Sequence, residues 1–342
     1  MRRKIYFLSA VVGLLLVPTG CIYDDLPGDS STTSDPGGKE QFTPGLHPDS
    51  LATVVLSAKV ASQGDTQSCE GGSTRAGTSI QSTQFDNNET FYAYFATAGV
   101  RIGNVDGDHV IYTADGAGNA APATQPYFPA ACLSVDVHGY YPSSVTNTTQ
   151  SFTVASDQTS DASYKASDLM YANCAATRNA GDPTGSGSLT FAHRMVKIIV
   201  SATADTNKGV NTINDIRIVG GHRTIEIATP LSCTLGTTTS NANTTSDYVI
   251  IYTGGSTATA TGAALIVPET IGTAESGVAF LQVVTDMGTA TYSLKGKQLE
   301  SGKVYTFNIT VNAAAIGVTT AVTNWTDGGT TTLVNNGTEA LN

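Results

Sequence analysis

Along most of this chain apolar and polar residues alternate, and the alternation starts abruptly. In LATVVLSAKV (51–60), Ala52, Val54, Leu56, Ala58 and Val60 share one face while Thr53, Ser57 and Lys59 take the other. A period of two marks a half-buried strand. On its N-terminal side, DLPGDSSTTSDPGGKEQFTPG holds almost no apolar residue. Such a stretch cannot offset its own ordering entropy and reads as a tether. On its C-terminal side come fifteen loop-like residues, ASQGDTQSCEGGSTR. A strong strand therefore stands alone between a tether and a long loop.

Beyond Arg75 the strand patterns come regularly. FYAYFAT and HVIYTAD form a first group, and LSVDVHGYYP sets Leu133, Val135 and Val137 opposite Ser134, Asp136 and His138. Between Pro142 and Ser188 the chain is polar and irregular apart from SDLMYA. The glycines of PTGSGS then lead into LTFAHRMVKIIVSA, which predicts one long apolar strand and a domain boundary near residue 186. The second half repeats the habit in NDIRIVGG, RTIEIAT, SDYVIIYT, AALIVPE, GVAFLQVVT, ATYSLKG and KVYTFNITVN. In the last of these, Tyr305, Phe307, Ile309 and Val311 face away from Thr306, Asn308 and Thr310. Six or seven strands per half is about the complement of a small sandwich. The fold class is therefore all-β, as sandwiches or barrels, with two domains over 76–186 and 187–315 and a C-terminal segment over 316–342. No repeat of 20–50 residues is visible, which excludes solenoids and propellers.

The N-terminus changes this picture by adding an address. Arg2, Arg3 and Lys4 precede a thirteen-residue apolar run, Ile5 to Val17. That is too short to span a bilayer and suits a secretory signal over residues 1–20. Cys21 directly after Thr19 and Gly20 resembles a bacterial lipobox, although Pro18 stands where Leu is usual. The bland alternative is a plain signal peptide followed by a coincidental cysteine. Lipid on Cys21 would anchor the tether (21–50) without any transmembrane helix. Removing the three N-terminal cations takes the net charge from -11 to -14. That sign excludes a nucleic-acid partner, because a polyanion would be repelled. The other cysteines, Cys69, Cys132, Cys174 and Cys233, lie 63, 42 and 59 residues apart. These spacings fit neither zinc nor a CxxC redox pair, and leave buried thiols and one bridge equally open.

Enzyme signatures are missing. There is no GxSxG, HExxH, GxxxxGK[ST], or GxGxxG between a strand and a helix, so neither an enzyme nor a cofactor is expected. The five histidines are scattered, and His193, inside an apolar strand, reads as a hydrogen-bonded structural residue. Asn104, Asp106 and Asp108 in GNVDGDHV loosely follow a calcium loop, but His109 replaces the needed glycine and no closing Glu follows. A turn is the better reading, and no metal is expected. Arg75 is the one Lys or Arg between Lys59 and Arg101, set among small neutral residues from Gly71 to Ser79. An exposed loop of that kind is where a protease gains access.

Several segments together resemble one family. They are CIYDDLP at the lipobox, an early strand followed by STRAGT, DLMY (168–171), LTFAHRMVKIIV, and KVYTFNITV with Trp325 downstream. In this order they resemble the fimbrillin-like pilins of the Bacteroidales, the subunits of type V pili. Asp24 and Asp25 also look like the surface-export signal of Bacteroidetes lipoproteins. The resemblance implies two transthyretin-like β-sandwiches and export as an outer-membrane lipoprotein precursor. It implies cleavage between Arg75 and Ala76 by an arginine-specific protease, loss of the strand Ala52 to Val60, and polymerisation into adhesive fimbriae by donor-strand exchange. The partners would be other pilin subunits, the maturation protease, the outer membrane before processing, and a host or glycan ligand. The donor would follow the last sandwich strand, where Ile316, Val318 and Val322 share a face with Thr320 between them. The same segment reads equally as the final strand of its own domain. The alternative function is a monomeric or tip-located adhesin that binds glycan or host protein, for which Tyr127–Phe128 and Tyr140–Tyr141 would supply aromatics.

Overall fold

Strand β1, Thr53–Val60, runs parallel to Thr184–His193 over its whole length, from Thr53 opposite Thr184 to Val60 opposite Phe191. The computed structural model describes residues 51–61, 83–242, 248–273, 275–312, 316–324 and 330–339. The described residues are all-β in architecture, as the alternation predicts, with one short α-helix at Asp161–Ala166.

The first sheet has ten strands. Its long members, in spatial order, are β1, Thr184–His193, Met170–Thr177, Ser134–Tyr141, Thr90–Phe95 and His109–Ala114. The sheet curls until its far end meets β1 again. Ser57 bridges Asn119, and the Ala58 N–H donates to the Gly118 carbonyl at 3.1 Å. Strand β1 thus closes the sheet around one apolar core, which holds Val54, Leu56, Phe85, Phe91, Tyr112 and Phe191.

The glycine-rich run before LTFAHR is strand rather than linker. Thr184–Ser188 (TGSGS) forms the first half of β1's partner. Gly185 leaves room for a ring, since a Cβ there would lie 2.5 Å from Phe128 Cζ; Gly139 of Ser134–Tyr141 does the same for this strand's Phe191, whose Cζ a Cβ would approach to 2.5 Å. A strand glycine here marks a close approach from a neighbouring layer.

LTFAHRMVKIIVSA, expected as one strand, divides at Arg194–Met195 into Thr184–His193 and Val196–Ala204. The reason lies in packing. Leu189 and Phe191 fill the first core, whereas Val196, Ile198 and Val200 fill another. That second core lies between a C-terminal sheet (Thr259–Ile266, Val196–Ala204, Lys303–Val311, Ile316–Asn324, Thr330–Glu339) and the sheet of Val249–Thr257, Ile213–Ile218, Val278–Thr285 and Gly288–Leu294. Tyr305, Phe307, Ile309 and Val311 point into it while Asn308 and Thr310 face solvent, as their alternation requires.

A third cluster joins the two. Tyr92, Tyr140 and Tyr171 of the first sheet meet Ile199, Leu265 and Val304 of the C-terminal sheet, together with Phe152, Ile225 and Ile227. Phe152 belongs to Ser151–Thr153, which pairs with His222–Thr229 although it lies in the polar stretch after Pro142. Gln158, from the same stretch, is fully buried. Its side chain pairs with the Leu265 backbone like a strand: Nε2 donates to the carbonyl and Oε1 accepts from the N–H, both at 2.8 Å. Replacing it by alanine strands two buried backbone groups, each costing about 1–3 kcal/mol. Gln158→Ala is therefore expected to lower unfolding free energy by roughly 2–4 kcal/mol, read as a shifted urea midpoint.

Candidate functional site

Strand β1 shows the alternation expected of it: Ala52, Val54, Leu56, Ala58 and Val60 are each at most 3% exposed, while Val55 is 49% exposed. Its two edges differ. Toward Thr184–His193 the ladder is complete, and the Thr53 and Ala61 N–H groups extend it by donating to the Pro183 and Phe191 carbonyls at 2.9 and 2.8 Å. Toward the other edge only scattered bonds occur. Thr53 pairs with Tyr127, the Phe128 N–H donates to the Ala52 carbonyl at 2.9 Å, Gln125 Nε2 donates to the Val54 carbonyl at 3.0 Å, and the Ala58 and Val60 N–H groups donate to the Gly118 and Thr83 carbonyls, both at 3.1 Å. Strand β1 is thus held by one continuous ladder, by single bonds along its other edge and by its apolar face. Burial of Val54, Leu56 and Val60 contributes roughly 5–9 kcal/mol, at about 1.5–3 per side chain.

A short loop fixes the start of β1. Phe128 is buried under the Arg178 guanidinium, whose carbon lies 5.3 Å from the ring centre. Arg178 Nε in turn donates to the Cys132 carbonyl at 2.9 Å. Cys132 is disulfide-bonded, whereas Cys174 and Cys233 are free thiols, both pushed up to about 11 by burial. Cys21, Arg75 and Ala76 lie outside the described residues.

The segment named as a candidate donor, with Ile316, Val318 and Val322, is a strand in its own C-terminal sheet. Ile316–Asn324 runs antiparallel to Lys303–Val311, and Thr330–Glu339 pairs with its outer edge. It is therefore next to last in that sheet's order.

Two motifs from the sequence meet in the interior. Asp168 of DLMY and His193 of FAHR are both buried, with Oδ1 and Nδ1 2.8 Å apart. His193 is structural, as read; its carboxylate partner escaped notice because residues 25 apart in sequence give no local signal. GNVDGDHV forms a tight hairpin of Arg101–Ile102 with Val105–Asp106. Its carboxylates serve neighbours: Asp106 lies 3.5 Å from Arg101 and Asp108 2.6 Å from His109. Among the described residues no three His, Cys, Asp or Glu side chains gather as a metal site. The aromatic pairs are mostly interior: Phe128, Tyr140 and Tyr141 are buried, and the two tyrosine hydroxyls donate to the Leu231 carbonyl and to Glu89, each at 2.8 Å. Tyr127 alone of the four is half-buried.

These features define an all-β protein whose first described strand closes its first sheet. The chain belongs to the fimbrillin-like family, whose sequence pattern matches residues 74–325. Among solved structures it is similar to a candidate cell adhesion protein from Bacteroides uniformis ATCC 8492, at 18% identity and a TM-score of 0.55, over 80% of this chain and 98% of that one. A second candidate cell adhesion protein, from Bacteroides ovatus ATCC 8483, matches at 15% identity and a TM-score of 0.56, over 80% and 98%. The tip fimbrial protein Mfa3 from Porphyromonas gingivalis matches at 10% identity and a TM-score of 0.44, over 80% and 99%. No curated protein matches. At these identities the structural likeness concerns the fold alone.

Burial predicts how β1 responds to substitution. Leu56→Ala is expected to cost about 2–5 kcal/mol of stability in the full chain. Val55→Ala, on the exposed face, should cost under about 1 kcal/mol. Chemical unfolding of both variants checks the contrast, and equal losses would contradict the assignment of faces.

Proposed function

We propose that this chain is a structural subunit of surface fimbriae, exported as a lipoprotein precursor and assembled by strand exchange. The observation that carries the reading is the position of β1. It completes the first sheet, with a continuous ladder on one edge only, single bonds on the other and one apolar face. Membership of the fimbrillin-like family supports the same assignment.

In this reading lipid on Cys21 holds the precursor at the outer membrane. An arginine-specific protease cuts between Arg75 and Ala76, and β1 leaves with the tether. Loss of a closing strand uncovers unpaired backbone groups and an apolar groove, which pair readily with an extended segment of suitable pattern. The segment containing Ile316, Val318 and Val322 in a neighbouring subunit supplies it. The contact is head-to-tail and does not close on itself, so it yields a filament. The two halves of the chain, on either side of the passage from His193 to Val196, act as tandem transthyretin-like domains, the first accepting a strand and the second donating one.

One observation favours a second reading, a monomeric or tip-located adhesin. Ile316–Asn324 is paired on both edges within its own sheet, and a subunit that keeps this strand donates nothing. Its ligand would be a glycan or host protein.

The N-terminus of the protein recovered from its cells separates the readings. Processing predicts a chain that starts at Ala76, and Arg75→Ala should leave an unassembled full-length precursor. A recovered chain still starting at lipidated Cys21, or continued assembly of the variant, sinks the processing step.

A further inference from the structure

Tyr112 is fully buried in the first core, and its hydroxyl finds no hydrogen-bond partner among the described residues. Tyr140, Tyr141 and Tyr305 are buried too, yet each of their hydroxyls donates to an acceptor inside the protein. A buried hydroxyl left unbonded is costly and uncommon, so this one calls for a physical reason.

Packing prevents the ring from turning its hydroxyl elsewhere. It stacks on Phe91, with centres 5.4 Å apart and planes at 8°, and Phe91 meets Phe191 at 5.1 Å. Burial, and then Cys174 beside it, push the pKa of the hydroxyl up, so at neutral pH it is a donor in search of an acceptor. The same neighbour relates it to β1. A Cβ on Gly187 would come within 2.9 Å of Cys174 Sγ, and Gly187 stands opposite Leu56 in the ladder with β1. Leu56 is the middle one of the five apolar residues, Ala52, Val54, Leu56, Ala58 and Val60, that line this side of the core. None of them has a side chain that accepts a hydrogen bond.

The segment read above as the replacement carries a hydroxyl at the matching place. Its alternate residues are Ile316, Val318, Thr320, Val322 and Asn324. Thr320 is the middle one of these, as Leu56 is of its own series, so the match holds for a strand entering in either direction.

We propose that the Tyr112 hydroxyl recognises the incoming strand of a second copy of this chain, by donating to a hydroxyl at the position of Leu56 that Thr320 supplies. The proposal rests on the strand-exchange reading above. The bond offsets part of the burial that a threonine forgoes relative to leucine. It also discriminates between registers. A slip by one residue turns the apolar face to solvent. A slip by two keeps that face inside but sets a valine at the position of Leu56, so that two hydroxyls are buried without each other. One buried polar pair sets the register of coiled coils in the same way, at a cost in stability.

The test starts in the full chain, where β1 itself can be made to carry the hydroxyl. Tyr112→Phe should leave the urea midpoint unchanged or raise it, since no bond is lost. Leu56→Thr should lower the midpoint, and lower it by more in Tyr112→Phe than in the wild type. Equal losses in the two backgrounds overturn the pairing, as does a Tyr112→Phe variant that is itself destabilised. Peptides decide the matter where Leu56→Thr fails to fold. The chain cut after Arg75 is offered a labelled peptide of residues 316–324, or the same peptide with Thr320→Val. The preference for threonine over valine should be about 2- to 12-fold greater in the wild type than in Tyr112→Phe, the range of one net hydrogen bond. An equal preference in both overturns the recognition. If neither peptide is taken up, the exchange reading fails and the recognition with it, while the pairing of the two hydroxyls is read separately from Leu56→Thr.

Discussion

The parallel ladder between β1 and Thr184–His193 is the contact on which the first half of the molecule depends. Its two strands are far apart in sequence, with Thr53 opposite Thr184 and Val60 opposite Phe191. A parallel pairing of this kind cannot form as a hairpin, and its loop-closure entropy falls due before the contact repays any of it. Of the described strands between the two, all but Ser151–Thr153 belong to the same sheet, including Thr90–Phe95, His109–Ala114, Ser134–Tyr141 and Met170–Thr177. Strand β1 therefore completes a curl that the intervening chain has already set. A strand that fits as a last stave is also one that can be exchanged without rebuilding the others.

Register limits what could take its place. Because side chains alternate, a substitute must present apolar residues at every second position or it turns them to solvent. Strand β1 and the residue before it do so five times, at Ala52, Val54, Leu56, Ala58 and Val60. The C-terminal candidate offers Ile316, Val318 and Val322 with Thr320 between them. A hydroxyl in place of an apolar group lowers the gain from burial. On side chains alone the newcomer has little advantage over the original strand. The outcome of the proposed exchange then depends on whether the original strand is still present.

What could be read from the sequence followed from locality. The faces of β1 and of Lys303–Val311 were legible because alternation is a property of a single strand. The partner of β1 was not, since TGSGS looks like a linker until Phe128 is seen packed over Gly185. Met170–Thr177 was read only as far as SDLMYA, because Ala176, although buried, is too small to signal that the strand continues. Tyr140 and Tyr141 were offered as aromatics for a ligand surface, but one ring enters the first core and the other the joining cluster, with each hydroxyl satisfied inside. Cysteine spacing left one bridge and buried thiols equally open, because spacing carries no information on which cysteines pair; Cys132 is disulfide-bonded while Cys174 and Cys233 are free thiols.

The division of the interior bears on how such a subunit could both receive and give a strand. The buried residues of β1 belong to the first core alone. None contributes to the cluster that joins the first sheet to the C-terminal sheet. That join is held separately, by Tyr92, Tyr140 and Tyr171 against Leu265 and Val304, and by Gln158 on the Leu265 backbone. Ile316–Asn324 is likewise attached to a different sheet from β1. Opening the place of β1 thus disturbs one core, and withdrawing the C-terminal strand disturbs another, while the cluster between them keeps its residues. A chain in which accepting and donating shared a single core would lose its fold at the moment of exchange. In the proposed exchange the two events would fall in different sheets, which is what adding subunits one after another requires.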